Sequence, residues 1–434
     1  MDNDSAASEA PQFGFNLYGY LTSNIGLGVA GRNTAEMLLH NGTPVRLNDV
    51  SAGRGMQGKE RSLVEEIERS RGLAPYAMNL FHLNPDQMVY LLNPLSSRVT
   101  VRDRMQICVP FWELSRLPPA WHRPLAAMDL ILAPTRYIES TILSDCPDAR
   151  VLHYPQAVHI PAGIAADRTA FGLPEDAVIF VTSFDMRSDI ERKNPWAAVS
   201  AFRRAFPDRT DVRLIIKVNN AEYSSAFPAL VQRLNEAASD SRVVVLDAPM
   251  GYTDVLSLYA SSDVLVSLHR AEGLGLSLLE AMALGRPVIA TGFSGNMDFT
   301  TDDNSCLVGY EMTPVVASTQ YAYSKAFAGD QEWAEPDVDE AAAHMRRLAD
   351  DAGLRTSLGR RAAETADSIR DSYDRGLIVE DIHREFERWR QDPGRRAASA
   401  ARMRDLERRF FPLYGKRVIL AALRRAKALV SSRA

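Results

Sequence analysis

Short apolar runs alternate with amphipathic stretches along most of this chain, and the alternation happens twice. Residues 13–21 predict a strand, followed by a glycine-bearing loop at 22–28 and a helix to about Asn41. Further strands are expected near 45–49, 78–82, 88–92 and 106–111, then at Ala127–Ala133 and Val151–His153. A connection from Tyr154 to Phe171 holds Pro155, Pro161 and Gly163, and the rhythm restarts at Ala177. Strands are expected there at 178–182, Val212–Val218, Arg242–Leu246, Asp263–Leu268, Pro287–Thr291 and around Cys306–Val308, with helices between most of them. Parallel strands need long crossovers, usually helices, so this order implies parallel sheets covered on both faces. The expected class is α/β: two doubly wound domains, 1–160 and 172–371, facing each other across a cleft. Ligands in such sheets bind beyond the carboxyl ends of the strands.

One of those strand ends carries the run Glu272-Gly273-Leu274-Gly275-Leu276-Ser277-Leu278-Leu279-Glu280. A glycine-broken turn leads straight into an amphipathic helix, with one carboxylate before the helix and one inside it. Backbone N–H groups at a helix start attract phosphate, and glycine lets a ligand approach the backbone. A carboxylate accepts hydrogen bonds from sugar hydroxyls. Phosphate and hydroxyl recognition together describe a nucleotide-sugar. The continuation Ala281-Met282-Ala283-Leu284-Gly285-Arg286-Pro287 predicts the helix, its glycine stop and the next strand.

This run, flanked by Ser267-Leu268-His269-Arg270-Ala271 and by Thr291-Gly292-Phe293-Ser294-Gly295-Asn296, resembles the paired-glutamate motif of retaining family 4 glycosyltransferases, bacterial surface-polysaccharide type. The resemblance implies the GT-B fold, two Rossmann-like domains with the last long helix, here 372–390, returning to the first. It places Glu272 beside the donor hexose and Glu280 on the ribose, with Gly273, Leu274 and Gly275 lining the donor. Arg192-Lys193, beyond the first strand of the second domain, look like the pair that grips the donor diphosphate. The usual spacing of that pair is wider, so Arg187 is an alternative partner for Lys193, and Lys217 is a further cation at the next strand end. Two cations there would neutralise charge building on the leaving group. Transfer would retain the anomeric configuration, use no metal or other cofactor, and let the leaving phosphate help deprotonate the acceptor.

Gly26-Leu27-Gly28-Val29-Ala30-Gly31 is a G-x-G-x-x-G between strand and helix, and Asp49 stands where a dinucleotide enzyme places its ribose-binding acid. This keeps an NAD-dependent oxidoreductase as an alternative, alongside a non-catalytic nucleotide-sugar-binding subunit. Thr22-Ser23-Asn24-Ile25 separate strand from glycines, unlike that fingerprint, and the resemblance instead assigns Gly26 and Gly28 to the donor phosphates. On the acceptor side, the chain departs from the family by carrying Phe111-Trp112-Glu113 where a His is usual. Glu113 is the candidate for the acceptor hydroxyl or the oxocarbenium-like state, and Trp112 for stacking on a sugar. His82, His269 and Arg270 are lesser candidates. Asp337-Val338-Asp339 resembles a metal-binding motif but opens a charged helix, where acids are expected anyway.

Composition narrows the classes. A formal net charge of −5 argues against a general nucleic-acid binder. Three widely spaced cysteines argue against a disulfide framework or zinc site and favour a reducing compartment. The acidic start resembles no secretory signal, and no apolar run reaches membrane-spanning length. A cytoplasmic enzyme is expected, acting on a nucleotide-sugar donor and a glycan or lipid-linked glycan acceptor. The stretch 395–434 differs from the rest, with twelve Lys or Arg against two acids and apolar residues between them. A basic amphipathic tail of this kind suits peripheral contact with the inner face of the cell membrane.

Overall fold

The computed structural model describes residues 12–23, 25–51, 63–70, 74–88, 104–221, 227–316 and 331–409. Twelve strands form two six-stranded parallel sheets. The first holds β1 (Phe15–Gly19), β2 (Val45–Asp49), β3 (Met78–His82), β4 (Met105–Cys108), β5 (Leu130–Ala133) and β6 (Val151–His153). Its order is β2-β1-β3-β4-β5-β6. The second holds β7 (Val178–Asp185), β8 (Val212–Asn219), β9 (Val243–Leu246), β10 (Val264–Ser267), β11 (Val288–Thr291) and β12 (Cys306–Val308). Its order is β12-β11-β10-β7-β8-β9.

Every residue of β1, β3, β4, β5 and β11 is buried, which explains why these strands read as apolar runs rather than alternating ones. Helices cover both faces of a parallel sheet, so the few polar side chains in these strands must find partners inside: Asn16 donates to Asn79, and Asn79 to Gln106. Where the second sheet reverses direction, β7 lies beside β10. Such a reversal opens a crevice beyond the strand ends, because the two following helices leave on opposite faces. The loops after Asp185 and Ser267 border that crevice.

Two departures from the sequence expectation concern strands. Near 88–92, Pro85–Met88 form a helical turn instead, and 89–92 lie outside the described residues. An antiparallel hairpin, β13 (Tyr310–Pro314) with β14 (Glu332–Pro336), carries no periodic signal strong enough to announce it.

The chain crosses between lobes twice. After β6 it passes through 154–171, anchored where Asn33 donates to the Ala157 carbonyl at 2.8 Å. It returns along the helix Ala352–Asp374, whose Gly359 packs so closely that a Cβ would sit 2.2 Å from the Gly285 carbonyl oxygen. Hydroxyls of Thr34, Tyr154 and Tyr373 meet at this crossing, 2.8–3.1 Å apart. Gly376, at φ +65°, breaks the helix, and Leu377–Gln391 then packs Ile382, Phe386 and Trp389 with Phe15, Leu17 and Met105 of the first sheet. Residues 393–409 continue as helix, with Met403 and Leu406 against Trp121, Leu125 and Ile131. Asp129 fixes that helix by accepting from Ser399 Oγ at 2.7 Å and Arg402 Nη2 at 2.8 Å. Tail residues 410–434 lie outside the described residues.

Candidate functional site

Beyond β7, the Asp185 carboxylate accepts from the Arg187 amide at 2.8 Å and from Asn220 Nδ2 at 2.7 Å, turning the chain sharply. Asp189 then caps the short helix Ile190–Lys193, accepting from the Arg192 amide at 3.0 Å. Asn194, left-handed at φ 48°, ends it; asparagine tolerates that conformation better than most residues. Arg192 and Lys193 are thus fixed on one rigid turn. The Arg192 carbonyl accepts from the Arg270 amide at 2.8 Å, joining this turn to the loop after β10.

Four charged side chains converge there. The Arg192 guanidinium, 4% exposed, donates through Nη1 to the Ala271 carbonyl at 2.7 Å and lies 3.4 Å from Glu272 Oε2. Its Nη2 lies 3.2 Å from Glu113 Oε1, which arrives from the other lobe. Lys193 Nζ donates to Glu272 Oε1 at 2.5 Å. Burial alone would raise the Glu272 pKa, but Lys193 and Arg192 overcome it and hold the carboxyl down at about 2. Glu113 responds in the opposite direction: burial pushes it up, the Glu272 charge adds to this, and Arg192 only partly offsets it. One carboxylate firmly ionised and a second reluctant to ionise share a single guanidinium.

The loop 272–275 is held from behind. The Glu272 amide donates to Ser294 Oγ at 2.8 Å, and the Gly295 amide donates to the Glu272 carbonyl at 2.9 Å. Gly295 has no alternative, since a Cβ there would fall 2.1 Å from the Gly273 oxygen. His269 is buried, its pKa lowered by that burial. Its Nε2 faces Asn296 Oδ1 at 3.0 Å and the Phe293 carbonyl at 3.3 Å, so this nitrogen carries the proton, and Nδ1 accepts from Ser267. His269 therefore braces the loop. Gly273 lies against the Trp112 backbone, where a Cβ would approach the carbonyl oxygen to 2.9 Å. Leu274 turns into the second core, so it offers a ligand only its backbone. Gly275, at φ +88°, opens the helix Leu276–Ala283.

Inside that helix, Glu280 is 4% exposed and accepts from the Tyr252 hydroxyl at 2.9 Å. Burial lifts its pKa to about 8. Arg32, from the first lobe, lies 6.0 Å over the Tyr252 ring and lowers that value somewhat. Neither Arg32 nor Tyr252 was marked by the sequence. The available signal was that Arg32 directly follows the third glycine of the G-x-G-x-x-G.

Several expectations need correction. Asp49 is spent on its own loop, accepting from Thr22 Oγ1 at 2.8 Å and Ser51 Oγ at 2.7 Å, so it is not poised for a dinucleotide ribose. At Gly28, where the donor-phosphate assignment is untouched by this, a Cβ would sit 2.2 Å from the Ser23 carbonyl oxygen. Open space surrounds Gly26 instead, with nothing within 4 Å of its Cβ position. Trp112 is a core residue, 3% exposed, donating to the Arg116 carbonyl at 2.7 Å and packed on Trp121 at 5.0 Å, so it presents no face to a sugar. Lys217 is consumed by the carbonyls of Val218 and Ala248, each at 2.9 Å. Arg270 turns away to Glu335 and Glu191. His82 is fully buried beneath Gly31, its pKa lowered by burial to about 4. Asp337, by contrast, is the helix-start acid expected from the sequence, capping its helix by accepting from the amides of Asp339 and Glu340. Among the described residues, no group of three or more His, Cys, Asp or Glu is placed to hold a metal ion.

With this geometry in hand, residues 176–312 match the family model described as glycosyl transferases group 1. The stretch is a group 1 glycosyltransferase domain. A D-inositol 3-phosphate glycosyltransferase of Kineococcus radiotolerans is 26% identical over 235 residues, covering 50% of this chain and 48% of that protein. Its counterpart in Mycobacterium tuberculosis is 31% identical over 136 residues, covering 31% of this chain and 27% of that protein. The chain thus spans about half the length, or less, of these curated relatives. Among solved structures, sucrose-phosphate synthase from Thermosynechococcus elongatus superposes with a TM-score of 0.61 at 14% identity, covering 86% of this chain and 99% of that one. Anabaena HepE, solved with UDP and glucose, gives a TM-score of 0.57 at 14% identity, covering 86% and 100%. These likenesses establish the fold, which is GT-B.

Proposed function

We propose that this protein is a retaining, metal-independent glycosyltransferase moving a hexose from a nucleotide diphosphate sugar to a hydroxyl of a glycan or lipid-linked glycan, in bacterial polysaccharide biosynthesis. The observation that carries the reading is the convergence of Arg192, Lys193 and Glu272 at the strand reversal of the second sheet, met by Glu113 from the first. A diphosphate entering the crevice exchanges one anion for another, drawing Lys193 and Arg192 from Glu272. Both cations then stabilise the charge that develops on the leaving phosphate. Glu272, released by them, accepts hydrogen bonds from the donor hexose. Glu280 accepts from the ribose, and Glu113 faces the acceptor. The names of the relatives support a polyol acceptor, and the ligands of HepE support UDP as the first nucleotide to test.

Membrane contact belongs to the same reading. Arg396, Arg404 and Arg408 are exposed on the helix 393–409 and form no ion pair among the described residues. They belong to a segment from 395 onward whose net charge is +10. Each cation near an anionic leaflet contributes ~1 kcal/mol. No helix among the described residues is long and apolar enough to cross a membrane.

The experiment is a thermal-shift screen with UDP, GDP, ADP and their common hexose conjugates, repeated on Glu280→Ala and Lys193→Ala. Stabilisation by one nucleotide family, lost in both variants, is expected. A shift from NAD and none from any nucleotide-sugar would overturn the reading.

A further inference from the structure

At one end of the seam between the lobes lies a hollow of about 670 Å³ that the donor site does not use. Small-molecule sites commonly span ~300–1,000 Å³. Its wall carries a run of aromatic rings that passes from one lobe to the other. Phe293 lies 5.7 Å from Tyr137 of the first lobe and 5.2 Å from Tyr310 of the second. Tyr310 is 41% exposed, as is Met297 at the rim, so the outer part of this surface is apolar and open, while Phe293 also packs on the core beneath. Polar groups edge the rings. Asp298 accepts through Oδ2 from the Arg136 amide and from His153 Nε2, each at 2.9 Å. Its Oδ1 accepts from nothing among the described residues.

Flat apolar rings bordered by a carboxylate, an imidazole and a guanidinium match a pyranose, which has C–H faces and a belt of hydroxyls. The hollow is also tied to the reacting groups. The Tyr137 hydroxyl donates to the Glu113 carbonyl at 3.3 Å, and Ser294, which lines the hollow, holds the Glu272 amide. Thr135, one residue before Arg136, donates to the Gly273 carbonyl at 2.9 Å across the seam. The hollow thus touches the backbone segments that carry Glu113 and Glu272.

We propose that this hollow is a carbohydrate subsite, shared by both lobes, that holds acceptor sugars beyond the one receiving the hexose. It rests on the glycosyltransferase reading above. The lobes each contribute rings, so the subsite is complete only when Thr135 and Asp298 bridge them.

The test is ligand-observed saturation-transfer NMR on the full chain, with UDP present and maltotriose, mannotriose and chitotriose as probes. At least one trisaccharide is expected to take up saturation from the parent protein. That signal should fall roughly fivefold or more in Tyr310→Ala, the scale of a lost aromatic contact. Phe293→Ala should behave alike, and because Tyr310 is exposed its variant stays informative even if Phe293→Ala folds poorly. UDP-induced thermal shifts should be the same in parent and Tyr310→Ala. Saturation that survives in Tyr310→Ala, or no saturation of any trisaccharide by protein that responds to UDP, would overturn the subsite. So would an octyl glucoside probe saturated only along its octyl chain, which marks a lipid site. A trisaccharide signal that depends on Tyr310 in protein responding to no nucleotide would keep the subsite and sink the transferase reading.

Discussion

Replacing Glu280 by Gln isolates the energetic consequence of burying a carboxyl inside the helix Leu276–Ala283. The group is 4% exposed, and among the described residues the one side-chain hydrogen bond it accepts comes from Tyr252. Burial lifts its pKa from 4.5 to about 8, so the folded protein holds this proton more tightly than the unfolded chain does. The stabilisation is therefore complete at low pH, declines as pH rises above about 5, and is gone once pH passes through about 8. Within that window each pH unit changes the unfolding constant roughly tenfold, which amounts to ~2–3 kcal/mol between pH 5.5 and 7.5. Gln keeps the shape and the acceptor for Tyr252 but has no proton to lose. Other titrating groups are common to both proteins and cancel in the comparison. Urea unfolding of parent and variant at the two pH values should show the variant gaining on the parent by that amount at the higher pH. A stability difference that stays constant within about 0.5 kcal/mol would show that the carboxyl is already ionised in the folded state and refute the argument.

Other expectations follow from single contacts. Lys193→Met removes the closest cation from Glu272, so the carboxyl pKa should rise from about 2 toward its ordinary range, readable by NMR of labelled Glu, and nucleotide diphosphate affinity should fall at least roughly tenfold. Gly28→Ala forces a Cβ to 2.2 Å from the Ser23 oxygen and should cost ~1–3 kcal/mol by thermal unfolding, whereas Gly26→Ala, with open space, should be neutral or slightly stabilising. Asp129→Ala strips the helix 393–409 of its bonds to Arg402 and Ser399, and limited proteolysis should cut there first while the second lobe stays intact.

Much of this architecture was readable because periodicity reports burial. β5 and β9, one in each sheet, are apolar throughout, and both sheets announce themselves by such runs. The pairing of Glu272 with Glu280 was legible for a similar reason, since both stand within one loop–helix unit. Trp112 and Asp49 misled for the opposite reason. Each sits at a strand end beside the cleft, yet its orientation is set by Arg116 in one case and Thr22 and Ser51 in the other. A residue type fixes what a side chain is able to bind, and neighbours decide which way it faces. Arg32 with Tyr252, and Tyr137 with Phe293, meet across more than 150 residues of sequence, and no local pattern records such encounters. The hairpin of β13 and β14 escaped because two short strands with mixed exposure lack a clear period.

The return of Leu377–Gln391 and 393–409 to the first sheet has a consequence for biosynthesis. Phe386, Trp389, Met403 and Leu406 complete cores whose other walls are made mostly from residues 13–157. A ribosome working from the amino end therefore releases an amino-terminal lobe that stays unfinished until more than two hundred further residues have been translated. During that interval the second lobe has every piece of its own sheet and can mature alone. The late-arriving helices then close the earlier half, so the part of the polypeptide made first is the last to become fully native.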